Sequence, residues 1–384
     1  MVVLFNLLPI KKGGGQQVAT NFVRQTILRK DLHPIYVVTR DTLLHKFLLE
    51  VGVDRKQIVI IENSLLLRIR FTFFDVGKII RDKRIELIYT MFGPGLHHKD
   101  VKSVTGCAYS NLFFPEIDFW EGYSFLQRIK LRLIDKYRLK TTLKSDAIVF
   151  ENEAMLKRAV SLLNYPVKKT KLILPSISEV SEKSPSTEFK KRLEIINRSD
   201  YNILLLTGWH KNKNIEIIPE VLECLFKKKA LNVTFIITVP SNHSKSIELL
   251  AKAKRLNVAN NIIFFDTVTP FEVPHLIEIV NAMALFSKLE SFSNNIIEAW
   301  TYKKALFISN EEWSKAICKE FAIYVDRNDA NDISNKIIEF KNNSGEEEKL
   351  INSYDQILQI YPSSKQKVDL QIEFLKKVYN EKSN

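Results

Sequence analysis

The chain has 384 residues, 45% hydrophobic and 26% charged, and 57 Lys+Arg against 44 Asp+Glu leave a formal net charge of +13. That balance suits a globular protein of about two domains and excludes disorder, collagen and coiled coil as descriptions of the whole. The charge asks for an anionic partner, whether nucleotide phosphates, acidic lipid headgroups or nucleic acid. The three scattered cysteines, Cys107, Cys224 and Cys318, build neither a disulfide framework nor a zinc knuckle, which fits a reducing compartment.

In chain order, the apolar run 2–8 reads as a strand ending in Lys11-Lys12-Gly13-Gly14-Gly15, and Val18, Ala19, Phe22, Val23 and Ile27 then recur at helical spacing. No basic stretch precedes the run and no small-residue cleavage site follows it, so it reads as a strand and loop, not a leader. Strand-like runs follow at 35–39, 57–61 and 85–91, the last stopping at Gly93-Pro94-Gly95, and residues 147–150 form a short strand after Ser145-Asp146. Strands separated by helical stretches imply right-handed βαβ units and a parallel sheet. Residues 176–200, rich in Ser, Glu and Lys and broken by Pro185 just after Pro175, read as an interdomain linker and polar approach. The pattern then restarts, with strands at 202–206, 233–239, 262–265, 282–286 and 306–309 and a helix at 216–226. Residues 368–379 read as a charged amphipathic helix with Leu370, Ile372, Phe374, Leu375 and Val378 as its apolar positions. The apolar runs reach about ten residues, short of the roughly 18–20 that a helical membrane span needs.

Three loops at predicted strand ends carry the candidate chemistry. Gly13-Gly14-Gly15 lets backbone N–H groups approach an anion, and a helix starting near Gln16 would point its positive end there. The loop is neither a GxGxxG fingerprint nor a Walker A sequence, and a tight strand–helix turn is the alternative reading. Residues 207–214 turn at Gly208 and place Lys211 and Lys213 two apart, point charges suited to a pyrophosphate; a solvated basic loop would look the same. Residues 287–298 lie between a strand and the apolar helix start marked by Ile296, Ile297 and Trp300, with Ser291 or Ser293 as N-cap. Glu290 and Glu298 in that stretch offer carboxylates that accept hydrogen bonds from sugar hydroxyls, although two glutamates at this spacing are common by chance.

Taken with its surroundings, segment 287–298 resembles the E-x7-E region of retaining glycosyltransferases with the GT-B fold, family 4 in particular. Ala299-Trp300-Thr301-Tyr302-Lys303-Lys304, the strand 305–309 and Phe321-Ala322-Ile323-Tyr324-Val325-Asp326 follow as they do in that family. Residues 204–214 resemble its donor-phosphate loop, and the glycine loop 13–15 sits where the family has its N-domain loop. The resemblance covers nearly the whole chain in order of elements and is most specific over about residues 200–330. It implies an α/β protein of two Rossmann-like domains facing a central cleft. These are an acceptor-side domain at 1–180, a nucleotide-sugar domain at 200–362, and a C-terminal helix at 363–384 packing back toward the first. It also implies a donor site of Gly14, Gly15, Gly208, Lys211, Lys213, Thr267, Val268, Phe292, Ser293, Asn294 and Glu298. In it Glu298 holds the ribose hydroxyls, Glu290 sits by the transferred sugar, Lys213 with Lys211 holds the diphosphate, and Thr267-Val268 border the base. Two departures stand out: Ser291 and Ser293 replace glycines common around the first glutamate, and Trp209-His210 stand where an arginine is common.

Catalysis is then expected from Glu290 and Lys213, with His98, or its neighbour His97, assisting at the acceptor hydroxyl; a surface His pair in a loop is the alternative. The nucleotide-sugar is a substrate, and neither a metal nor another cofactor is expected. Residues 124–145 carry Arg128, Lys130, Arg132, Lys136, Arg138, Lys140 and Lys144 against Asp135, with Leu126, Ile129, Leu133 and Tyr137 on one stripe and Phe113, Phe114, Phe119 and Trp120 upstream. A basic amphipathic helix beside aromatic residues reads as an element of a membrane surface, each cation contributing about 1 kcal/mol near anionic lipid. A helix packed on its own domain with a solvated basic face is the alternative. The expected function is retaining transfer of a hexosyl-type sugar from a nucleotide-sugar to a glycan or lipid-linked acceptor in cell-surface polysaccharide biosynthesis, lipopolysaccharide included. The expected place is the cytoplasm, peripheral on the inner face of the membrane. A GT-B nucleotide-sugar epimerase and a non-catalytic nucleotide- or membrane-binding module are the alternatives, and no nucleic-acid motif is present.

Overall fold

The computed structural model describes residues 1–11, 14–177, 184–230 and 232–381. The chain forms two compact units: Met1–Glu116 with Tyr123–Ser176 and Pro362–Asn384, and Ile117–Gly122 with Ile177–Tyr361.

The first unit holds strands β1 (Val2–Asn6), β2 (His33–Thr39), β3 (Ile58–Ile61), β4 (Leu87–Thr90), β5 (Lys102–Cys107), β6 (Ala147–Phe150) and β7 (Thr170–Leu172). They form one parallel sheet in the order β3-β2-β1-β4-β5-β6-β7. Leu4 stands beside Ile35 of β2 and Ile88 of β4. The unbroken apolar text of β1 follows from burial on both faces, as expected of parallel strands. Val3 and Phe5 join Phe22 and Val23 of the helix Gly14–Thr26 on one face. Leu4 joins Val76 and Ile80 of the helix Val76–Lys83 on the other. β5 is not legible in the sequence, since Lys102-Ser103-Val104-Thr105-Gly106-Cys107 lacks an apolar run. Gly106 is required there: a Cβ would lie 2.0 Å from the Met91 carbonyl oxygen.

The helix Ser364–Asn380 belongs to this first unit, burying Val368, Ile372, Leu375 and Val378 in its core. Gln371 donates to the Tyr89 hydroxyl at 3.0 Å, and Lys367 pairs with Glu151. Leu370, read as an apolar position, faces outward instead.

The second unit holds β8 (Tyr201–Leu205), β9 (Val233–Ile237), β10 (Ile262–Phe264), β11 (Ala282–Leu285), β12 (Ala305–Ser309) and β13 (Ile323–Val325), parallel in the order β10-β9-β8-β11-β12-β13. This is the doubly wound order, which reverses direction between β8 and β11. The expected boundary at residue 200 moves back to Ile177. The polar stretch read as a linker contains the helix Thr187–Leu193, capped by Ser186, whose Phe189 is buried against Phe265. One apolar residue is enough to dock an otherwise polar helix, and composition averages it away. The middle of that stretch, 178–183, lies outside the described residues.

Candidate active site

The loops leaving β8 and β11 meet at the switch point of the second sheet, where open α/β sheets bind ligands. After β8, Thr207 donates its N–H to the Thr238 hydroxyl at 2.8 Å. A Cβ on Gly208 would meet nothing within 4 Å, and its backbone is not left-handed, so the space beside it is open. His210 then caps a short turn over Lys211–Lys213, its Nδ1 accepting from the Asn212 N–H at 3.1 Å. Burial and the nearby Lys213 push the His210 imidazole below its ordinary range, so it stays neutral and able to accept. Asn214 reverses the chain at φ 54° and donates to the Arg327 carbonyl at 2.7 Å.

Asn212 joins the two loops. Its side chain donates to the Leu289 carbonyl at 2.6 Å and accepts from the Leu289 N–H at 3.1 Å, and its own carbonyl accepts from the Lys288 N–H at 2.8 Å. That clamp sets the next residues of each loop side by side: Lys213 Nζ lies 2.6 Å from Glu290 Oε1, both groups largely out of solvent. Sequence reading singles out Lys213 and Glu290 and misses Asn212. Nothing local marks an asparagine between two lysines as buried; its partner is 77 residues away. Lys288 is engaged by Glu121, and its carbonyl accepts from the Trp313 indole at 3.1 Å.

Beyond Glu290 the helix Asn294–Thr301 begins at Ser293, whose side chain makes no capping bond. Asn295 ties the helix start to the Leu206 carbonyl at 2.7 Å. An uncapped helix N-terminus presents N–H groups and a positive dipole end to an anion. Within the helix, the Glu298 carboxyl is buried, its Oε2 has no hydrogen-bond partner among the described residues, and burial raises its pKa to about 7. A buried acceptor without a donor costs roughly 1–3 kcal/mol, a penalty that a hydroxyl-bearing ligand would remove.

The other expected donor contacts are more dispersed. Lys211 is half-exposed and 3.8 Å from Glu216, apart from the Lys213–Glu290 pair. Thr267 is exposed and Val268 half-buried in the loop after β10. That loop is held by Arg192, which bonds the carbonyls of Phe265 and Thr267 and lies 4.7 Å over the Phe265 ring. The Phe292 ring packs against Tyr361 at 6.1 Å, which leaves its backbone for other contacts. Trp209, in place of an arginine, is committed to packing: its indole donates to Ser246 at 3.0 Å and stacks on His243.

In the first unit, Gly14 and Gly15 open the helix Gly14–Thr26 at the carboxyl end of β1. A Cβ on Gly15 would touch Ile10 at an ordinary 3.6 Å, so no backbone strain demands glycine there. Gly13 lies outside the described residues. The expectation for His98 is corrected. The chain from β4 runs back along β5, so that His97 bonds Ser103 and the Thr141 carbonyl while His98 bridges Val101. Both histidines line a cavity of about 300 Å³ with Lys102 and Asp146, at the amino edge of the sheet. That edge is opposite to the one where the glycine loop opens. The Gly93-Pro94-Gly95 turn suggests a loop that stays at the carboxyl edge, and the structure turns it the other way.

Residues 187–356 match the family model of Glycosyl transferases group 1. A glycosyltransferase from Rickettsia africae ESF-5 superimposes with a TM-score of 0.72 at 16% identity, covering 99% of both chains. Anabaena Alr3699/HepE, in complex with UDP-glucose, gives 0.72 at 14% identity over 98% of this chain and 100% of its own. WaaG, a glycosyltransferase involved in lipopolysaccharide biosynthesis, gives 0.66 at 13% identity over 99% and 100%. No curated protein matches by sequence. The architecture is therefore that of the GT-B glycosyltransferases from end to end, and the group 1 match falls on the unit that holds Lys213, Glu290 and Glu298.

Proposed function

We propose that this protein is a retaining glycosyltransferase that moves a hexosyl-type sugar from a nucleotide-sugar to a glycan or lipid-linked acceptor. The observation that carries the reading is Glu298: a buried carboxyl with a free oxygen, on a helix whose uncapped start adjoins the Lys213–Glu290 pair. In this reading the ribose hydroxyls donate to Glu298. The diphosphate lies against the N–H groups of Ser293 and Asn294 and beside Gly208, with Lys213, and Lys211 at longer range, supplying the cations. The backbone of Phe292 and the side chain of Glu290 take the sugar, and Thr267 and Val268 border the base. The bond between the anomeric carbon and the diphosphate oxygen breaks with its electron pair leaving on the diphosphate. Lys213 and the helix dipole stabilise that charge where it forms. The acceptor oxygen bonds to the same face of the sugar, and its proton passes to the departing phosphate oxygen, so no enzyme base is required. His98 has no part in this step.

The setting we infer is cell-surface polysaccharide assembly at the cytoplasmic face of a membrane, with lipopolysaccharide as one product class. No described helix is long and apolar enough to cross a membrane. The helix Phe125–Leu143 nevertheless leaves Leu126, Ile129, Leu133 and Tyr137 exposed among its cations, as a surface contact with anionic lipid requires. A thermal-shift screen against UDP, GDP, ADP and their sugar conjugates tests the donor site. UDP-glucose comes first, since a protein of the same fold has been seen with it. Stabilisation by one nucleotide series is expected; no shift at concentrations far above a typical Kd would overturn the donor-site assignment.

A further inference from the structure

The first unit exposes a second apolar element that the reading above does not use. Between β3 and β4 the helix Leu65–Arg70 runs into a wide helical turn, Phe71–Asp75. Only Phe71 points inward, to Val76 and Ile80. Leu65, Leu66, Phe73 and Phe74 stand 63–76% exposed, and Ile69 is also exposed. Large side chains clustered in this way on a water-facing element mark an interaction surface.

The helix Phe125–Leu143 and this element are each tied to residues at the carboxyl ends of strands in the same sheet. Tyr109, just past β5, has the Arg138 guanidinium 4.5 Å over its ring. Arg68 is anchored at the carboxyl ends of the sheet, donating to the Leu8 carbonyl at 3.1 Å and the Thr39 hydroxyl at 2.6 Å. Three residues past Leu8, Lys11 bonds Asn63 at 2.8 Å, and burial together with Arg68 lowers the pKa of its ammonium. Among the described residues neither Lys11 nor Arg68 has a carboxylate partner. On the helix Phe125–Leu143, Lys130, Arg132, Lys136 and Lys140 are exposed, interleaved with Phe125, Leu126, Ile129 and Leu133. Its one acid, Asp135, is turned inward onto Arg138 and Asn111.

We propose that these two elements form one docking surface for an anionic lipid bilayer. Leu65, Leu66, Phe73 and Phe74 enter the acyl boundary, the lysines and arginines of Phe125–Leu143 lie at the headgroup level, and Lys11 with Arg68 takes a headgroup phosphate. Charge commits the surface to this partner: a like-charged second copy of the same face would be repelled, whereas phosphate headgroups supply the missing counter-charge. The inference extends the membrane contact proposed above and is tested without sugar transfer.

The test is flotation of the full chain with phosphatidylcholine vesicles, with and without phosphatidylglycerol, at low and high salt. Wild type should float with the anionic vesicles. Leu66→Ser/Phe74→Ser, both positions being exposed, should lower partitioning about tenfold or more and leave a weak, fully salt-sensitive residue. Lys130→Gln/Lys136→Gln/Lys140→Gln should weaken binding to anionic vesicles alone. Donor stabilisation by UDP should be the same in both variants and in wild type. Unchanged flotation of the Leu66→Ser/Phe74→Ser variant overturns the proposal. So does a wild-type dimer in light scattering that this variant dissociates, which would assign the face to a second copy. Absence of UDP binding in all three proteins would count against the transferase reading and leave this one standing.

Discussion

Glu298 separates a carboxyl waiting for a ligand from a structural one, because its titration reports both. Its folded-state value of about 7 lies above the ordinary 4.5. A raised carboxyl contributes stability that is fully present below the unfolded value and is lost as pH rises through the folded one. In ligand-free protein, wild-type stability relative to Glu298→Gln should therefore fall between about pH 4.5 and 7, by roughly 3–4 kcal/mol in all. Chemical denaturation of both proteins across that range checks it. Ribose hydroxyls donate best to the carboxylate, so wild-type donor affinity should strengthen as pH rises through about 7, and Glu298→Gln should lose that dependence. Lys213→Ala should slow turnover by about 10²–10³, as removal of a positioned charge-stabilising group does, with far less effect on KM. Lys213, Glu290 and Glu298 are singled out by the sequence alone, and the structure pairs the first two and buries the third. His98 is misplaced by the sequence because a glycine-proline turn says that the chain bends and not along which strand it returns.

The strand ends of the second unit work as paired loops. Asn212→Ala would leave the backbone N–H and carbonyl of Leu289 without partners in a buried place, at about 1–3 kcal/mol for each group. It should lower Tm and weaken donor binding together. Gly208→Ala should behave oppositely. No protein atom lies near the added methyl, so stability should stay within about 0.5 kcal/mol, while donor Kd rises by about tenfold if the diphosphate occupies that space. Measuring Tm and UDP affinity for both variants separates a clamp from an opening. Strands with continuous apolar text, β1, β8 and β12 among them, are readable. β5, β7 and β13 are short or polar and take their strand form from neighbours already in the sheet. The helix Thr187–Leu193 likewise exists for Phe189 and Arg192, whose partner Phe265 is remote in sequence.

At the scale of the whole chain, the last helix completes the first unit. Removing residues 362–384 would uncover the seat of Val368, Ile372, Leu375 and Val378, and at about 1.5–3 kcal/mol for each side chain that is comparable with the whole stability of a typical domain. The truncated protein should lose the cooperative unfolding of its first unit and aggregate, while the nucleotide series that stabilises wild type in the thermal-shift screen still stabilises the second. Two thermal transitions in wild type, with only the donor-sensitive one surviving truncation, would be the result to look for.

The sequence by itself determined the class of architecture, since the alternation of apolar runs and helical periods forces parallel βαβ units. It also marked the ends of β8 and β11 as candidate sites, because lysines past a glycine turn and carboxylates at a helix start are residue types suited to phosphate and sugar hydroxyls. Tertiary structure decided what depends on distance along the chain: Asn212 as the clamp between two loops, the Glu298 carboxyl as the buried acceptor, the amino edge as the place of His98. It also decided that Leu65, Leu66, Phe73 and Phe74 face water. The apolar text around them reads like core, and only the three-dimensional arrangement shows that the core was already filled by Phe71, Val76 and Ile80.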